Sequence, residues 1–213
     1  MELSVRDYIL LAPALIFALT FHEYAHAWMA NRLGDPTAKY LGRLSFNPLV
    51  HLDIYGLLVL VMSGFRFGWA KPVPFNPLNL HFPKRDIPLI AVAGPTINVI
   101  IAICSFAALR LAGATSPGDL RDGIFMLLTY FIYINLSLAF FNLIPVPPLD
   151  GSKILYGFLP PSKDYIYHNL ERMGPILLLG LILLNAFTPF KIISFLVGPL
   201  VEFTVRFLGA IFF

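Results

Sequence analysis

Residues His22-Glu23-Tyr24-Ala25-His26 spell HExxH inside an apolar stretch. Four residues along an α-helix turn through about 400°, so the two imidazoles project from one face, about 40° apart. They can reach one metal ion together, and the usual ion for this spacing is zinc. Glu23 follows the first histidine and can hold a proton beside metal-activated water. The preceding run from Tyr8 to Phe21 carries no charge. Ionisable groups at membrane depth cost about 2.5–3.5 kcal/mol each on insertion and usually mark function. A lone buried histidine is often only a hydrogen-bonded core residue. His, Glu and His packed into one motif on an apolar span are not explained that way.

Two histidines leave a catalytic zinc one protein ligand short, because such sites use three and keep an open position. The third should be a carboxylate or imidazole at a helix end on the same membrane face. Asp150, in Pro145-Val-Pro-Pro-Leu-Asp150-Gly151, fits best. It closes an apolar span where prolines unwind the helix, and Gly151 lets the backbone reverse closely. An ordinary helix-terminal Asp-Gly turn is the simpler alternative. Asp53, His51 and His81 are the other candidates, and they look more like loop or interface residues.

The elements that must position these groups are membrane spans. The chain has 213 residues, of which 58% are hydrophobic and 13% charged, and its mean hydropathy is +0.77. Soluble domains carry about 25% charged residues. We therefore expect an all-α polytopic membrane protein with about five to six transmembrane or re-entrant helices. A single domain over 1–213 is expected, with a catalytic core over about 8–155 and C-terminal helices over about 156–213. The first span covers about Tyr8–Ala30. A short apolar piece, Ile54–Met62, reads as re-entrant, since a span needs about 20 residues. Further apolar segments cover Ile87–Leu111, Ile124–Ile144, Pro175–Phe187 and Ile192–Phe213. The stretch 65–75 alternates and is aromatic, like a short membrane-associated β-hairpin, and its prolines confine it to a sheet edge.

Net charge is +3 with a pI near 9.0. Most Lys and Arg lie in the loops near 31–43, 66–85 and 153–172, which should face the cytosol. HExxH and Asp150 then both lie toward that side. No basic cluster with interleaved aromatics suggests nucleic acid. Cys104 is the only cysteine, so no intrachain disulfide or thiolate zinc site can form, and it reads as a small buried apolar residue. The N-terminus is not distinctly basic and lacks a small-residue cleavage pattern, so the first segment is expected to be retained.

His22-Glu23-x-x-His26, Gly94-Pro95-x-x-Asn98 and Asn142…Pro148-Leu149-Asp150-Gly151 occur in that order on successive spans. Together they resemble the site-2 protease family of intramembrane zinc metalloproteases, over roughly residues 8–155. Asn47-Pro-x-x-His51-x-Asp53 and Gly68-Trp-Ala-Lys-Pro-Val-Pro74 look like its compact branch, which has no PDZ or CBS domain. The resemblance implies one zinc per chain, held by His22, His26 and Asp150, with Glu23 as catalytic acid/base. It also implies hydrolysis of a peptide bond in the transmembrane segment of a membrane-protein substrate, near the cytosolic face. Regulated intramembrane proteolysis in a bacterial or archaeal cell membrane is the expected setting.

Several residues would serve that reaction. Asn98, one turn past Gly94-Pro95, could donate to the tetrahedral oxyanion or hold the substrate backbone, or it could be an interhelical hydrogen bond. Asn142 is a second such candidate, although packing suits it and Asn135 better. An edge strand over Trp69, Ala70, Lys71, Pro72 and Val73 could pair with an unwound substrate. It could equally lie on the headgroups with Trp69 as anchor. His51 and Asp53 read as a structural pair where a helix begins, or as a gate. His81 and His168 look like surface histidines. The partners implied are a transmembrane substrate and the bilayer, with an oligomer possible. Two other classes compete: a non-hydrolytic zinc-binding protein such as a transporter, and a scaffold that binds helices. A transporter should offer polar residues along a whole pathway, whereas here they share one depth. A scaffold has typically lost a ligand or the glutamate.

Overall fold

A computed structural model describes residues 5–64, 68–113, 119–187, 189 and 191–213. Its helices are α1 (Val5–Arg32), α2 (Thr37–Tyr40), α3 (Ile54–Met62), α4 (Pro83–Ala112), α5 (Asp119–Asn142), α6 (Asp150–Phe158), α7 (Asp164–Phe187) and α8 (Ile192–Phe212). Four stretches among the described residues are long and apolar enough to cross a membrane: Arg6–Arg32, Pro83–Ala112, Asp122–Asn142 and Ile192–Phe212. The all-α polytopic architecture expected from the sequence is therefore present.

Two boundaries differ in informative ways. Helix α4 starts earlier than the apolar run because Pro83 occupies its first position, where a missing N–H costs nothing. Asp86 completes the start by accepting the Phe82 N–H at 2.8 Å. The apolar segment 175–187 is only the second half of α7, whose first turns carry Asp164, His168, Glu171 and Arg172. That half is about 20 Å long at the helical rise, short of the hydrocarbon thickness.

Residues 65–67 of the expected hairpin lie outside the described residues. Residues 68–76 are extended but form no ladder; Ala70 makes one isolated antiparallel bridge with Leu52. Pro72 and Pro74 explain this, since each removes a donor a ladder would need. Other groups hold the segment. The Lys71 N–H donates to the His51 carbonyl at 2.8 Å, and the buried Arg43 guanidinium donates to the Lys71 carbonyl.

The core has two parts. Ala102 and Phe106 of α4 pack with Ile132 and Leu136 of α5 and with Val197, Val201 and Leu208 of α8. A smaller cluster joins Ala30, Leu80, Ile87 and Ile90. Where α1 faces its neighbours it buries Ala14, Ala18, Ala25, Ala27 and Ala30, and α4 buries Ala91, Ala93 and Gly94. Small residues at these positions let the helix backbones approach closely, as membrane packing requires. Cys104, expected to be buried, lies exposed on α4.

Candidate metal centre

HExxH sits in the second half of α1, and both histidines face α4 and α6. His22 and His26 are buried, with 3% and 7% of their surface exposed, and Asp150 is equally enclosed at 4%. His22 Nε2 and His26 Nε2 each lie 3.1 Å from Asp150 Oδ2. Asp150 does not close the preceding span, as the sequence suggested. Helix α5 ends at Asn142, and Asp150 opens the separate helix α6. The turn is close enough that a Cβ on Gly151 would meet the Leu143 carbonyl at 2.2 Å. A carboxylate in a first helical turn is also favoured by the helix dipole.

The outer nitrogens settle which way the imidazoles present themselves. His26 Nδ1 lies 2.8 Å from the Ile90 carbonyl, which can only accept, so Nδ1 carries the proton. His22 Nδ1 lies 2.6 Å from Asn98 Oδ1 and donates to it. Asn98 Nδ2 in turn donates to the Ala18 carbonyl at 3.2 Å and to Asn135 Oδ1 at 2.7 Å. In the neutral rings both Nε2 atoms then turn bare lone pairs toward a carboxylate oxygen. Three buried acceptors facing one another repel unless a cation lies between them. Tetrahedral zinc with bonds near 2.1 Å has ligand edges of roughly 3.4 Å, so the donor set and its spacing fit that ion. Among the described residues, this is the group of His, Cys, Asp or Glu that could hold a metal.

Glu23 is 9% exposed, and one carboxylate oxygen accepts the Val73 N–H at 3.1 Å. The extended segment thus lies directly over the glutamate. A cavity of about 90 Å³ opens between them, lined by Glu23, the three candidate ligands, Pro72, Val73, Phe75, Asn142 and Lys153 among others. Asn142 lines the cavity, and its Nδ2 donates to the Leu138 carbonyl at 3.0 Å, which uses one of its two N–H groups. Asn98 has no such freedom, because both its N–H groups are spent inside the protein. Trp69 is half exposed. His51 and Asp53 take structural places where α3 begins. His51 Nε2 donates to the Ser45 carbonyl at 2.7 Å, and Asp53 caps α3 by accepting the Gly56 N–H at 2.8 Å. Burial, with the Arg43 charge nearby, holds the His51 imidazole below its ordinary pKa despite the Ser45 carbonyl. His81 and His168 are exposed.

Sequence reasoning missed three contributors. Lys153 places its ammonium 3.5 Å from Asp150 Oδ1, and its i,i+3 spacing on α6 was a usable signal. Arg43 clamps the extended segment, which only tertiary contact reveals. Asp35, fully buried, accepts from the Thr37 N–H and hydroxyl, from Asn79 Nδ2, and from the Asn76 N–H at 2.6 Å. Burial opposes ionisation of Asp35, but these donors outweigh it and hold its carboxyl below the ordinary range. The Asp35-x-Thr37 turn is legible in sequence; its reach to residue 76 is not.

Comparison with known proteins agrees with this geometry. A model of peptidase family M50 matches residues 113–181. Three relatives share the name "Putative zinc metalloprotease". YwhC of Bacillus subtilis is 37% identical over 182 residues, covering 84% of this chain and 81% of its own. MJ0611 of Methanocaldococcus jannaschii is 39% identical over 152 residues, covering 71% and 72%. Rip2 of Mycolicibacterium smegmatis is 25% identical over 186 residues, covering 85% and 70%. No solved structure matches the chain. With its apolar spans and a relative this similar over most of both lengths, the chain is an integral membrane protein belonging to peptidase family M50, the site-2 proteases.

Proposed function

We propose that this protein is a zinc-dependent intramembrane endopeptidase in which His22, His26 and Asp150 hold one zinc per chain and Glu23 moves the proton. One observation carries the reading. Two imidazole Nε2 atoms and a carboxylate oxygen converge at 3.1 Å, while both Nδ1 atoms are tied back to acceptors. When bound, zinc supplies a Lewis acid that activates water and polarises the scissile carbonyl.

The chain's own residues do the rest. The Glu23 carboxylate accepts the proton of the attacking water and passes it to the leaving amide nitrogen. The Val73 N–H fixes that carboxylate over the cavity, and Lys153 balances Asp150. Asn142, with an N–H to spare, is placed to meet the substrate carbonyl. Asn98 orients His22.

A substrate helix must unwind before its peptide bonds are accessible, and residues 69–73 are the surface it meets. Along an extended chain alternate residues face opposite edges. Lys71 and Val73 bond inward, so Pro72 and Pro74 face outward with carbonyls and no N–H. A substrate strand adding there donates its own amides to those carbonyls. The basic loops support a cytosolic mouth, and in a bacterial or archaeal membrane cleavage there would release a tethered domain in regulated proteolysis. The relatives' names support the zinc and the hydrolysis.

Elemental analysis tests the ligand set. Wild type should carry about one zinc per chain, and Asp150→Ala should lose it. Full zinc in that variant would mean the third ligand lies elsewhere. Glu23→Gln should keep zinc and lower cleavage of a transmembrane substrate by about 10²–10⁴-fold. Unchanged cleavage would remove Glu23 from the mechanism.

A further inference from the structure

The two oxygens of the Asp150 carboxylate have different neighbours. Both imidazoles approach Oδ2, with His22 Nε2 and His26 Nε2 each 3.1 Å away. The Lys153 ammonium approaches Oδ1 instead, at 3.5 Å. Among the described residues no backbone N–H donates to this carboxylate, so side chains alone set its rotation.

Lys153 is committed to this place. It lines the cavity beside Glu23 although its side chain is 30% exposed and water is within reach. Its ammonium also stands over the Phe75 ring, 5.9 Å from the centroid, and Phe75 belongs to the extended segment that crosses the site. Charge balance does not account for the arrangement. A divalent ion held by Asp150 would itself balance the carboxylate, and an ammonium nearby opposes such an ion by Coulomb repulsion.

Coordination number gives the missing reason. A carboxylate can ligate through one oxygen or through both. Through one, Asp150 and two histidines make three protein ligands, which leaves four-coordinate zinc its open position. Through both, the same residues supply a fourth donor and suit ions that take five or six ligands, such as manganese. An oxygen paired with an ammonium is not free to ligate.

We infer that Lys153 is a positioning residue that selects the metal: by holding Oδ1 it keeps Asp150 to one ligating oxygen and biases the centre toward four-coordinate zinc. The inference rests on His22, His26 and Asp150 being the ligand set. The test strips the full-length protein in mild detergent and reloads it with Co²⁺ alone, whose visible absorption is strong in four-coordinate sites and weak in six-coordinate ones. Competition between Zn²⁺ and Mn²⁺ is measured alongside by elemental analysis. Wild type should give the strong cobalt bands. Lys153→Met should weaken them and raise manganese uptake relative to zinc by about tenfold, with no loss of zinc affinity. Lys153→Arg should restore both readouts, because its guanidinium can pair with the same oxygen. Phe75→Leu keeps the lysine but removes the ring beneath it, and should shift both readouts the same way by less. If circular dichroism shows that Lys153→Met does not fold, the Phe75→Leu shift decides. Wild-type spectra and selectivity in the variants would overturn the proposal, and slower cleavage with them would make Lys153 a substrate contact. Loss of zinc from a folded Lys153→Met would also overturn it, leaving Lys153 a structural support. A wild type that takes up neither zinc nor cobalt would instead remove the ligand set itself, and this inference with it.

Discussion

At the scale of the residue, the centre depends on how each imidazole is held from behind. His26 leans on a backbone carbonyl that no substitution removes, whereas His22 leans on the Asn98 side chain. Asn98→Ala should therefore free the His22 ring and lower zinc affinity or activity by about 10–100-fold, the usual cost of losing an outer hydrogen-bond partner. Zinc titration of the purified variant measures this, and wild-type affinity would show that Asn98 only packs. The same substitution strands Asn135, whose carbonyl accepts from Asn98 at 2.7 Å. Some loss of stability should accompany the loss of metal.

At the scale of the element, α1 and α4 must approach within a glycine's width for the site to exist. A Cβ at position 94 would lie 2.5 Å from His26 Nε2 and 2.7 Å from His22 Cε1. Gly94→Ala should push both rings off the metal position and reduce zinc binding by about tenfold or more, with the helices still formed. Near-wild-type zinc together with an unchanged circular dichroism spectrum would count against this account. The extended segment over Glu23 is the second positioned element, and Asp35 anchors its far end. Asp35→Asn removes an ionised acceptor and should cost about 2 kcal/mol locally, seen as faster amide exchange at Asn76. Equal exchange in the two proteins would show that Arg43 and His51 hold the segment alone.

The pH dependence of this anchor has a definite sign. The folded carboxyl of Asp35 ionises below the ordinary value of about 3.9, so its contribution is complete above that value. As pH falls from there through the depressed folded value, the unfolded chain takes up the proton first and the contribution disappears. Unfolding by denaturant at about pH 6 and pH 3 should show wild type losing more stability than Asp35→Asn. Parallel losses would contradict the assignment.

At the scale of the whole molecule, the proposed metal would join α1 to α6, where His22 and Asp150 stand 128 positions apart in the chain. Ion binding to the folded state alone stabilises it by mass action, about 2.7 kcal/mol at a hundredfold excess over Kd. Removing zinc with a chelator should lower the midpoint of thermal unfolding, and restoring zinc should recover it. A midpoint indifferent to zinc would mean that the helices hold the centre together unaided.

The sequence by itself determined the spans, because membrane insertion is read from runs of apolar residues that need no knowledge of their neighbours. It also determined the HExxH pair, because helical geometry alone brings positions 22 and 26 to one face. Asp150 was legible as a candidate from its proline-rich turn, but not its place at the start of α6. That placement depends on Gly151 meeting the Leu143 carbonyl, a contact made only after the chain reverses. The tertiary structure alone decided that Asn98 turns to His22, that Val73 bonds Glu23 and that Asp35 reaches Asn76. Each is a hydrogen bond between residues 41 to 76 positions apart, with directions set by helix packing rather than local periodicity. The segment 68–76 shows the same division. Its alternation spelled an extended chain, while its prolines and the acceptors around it decided that it would lie across the site instead of joining a sheet.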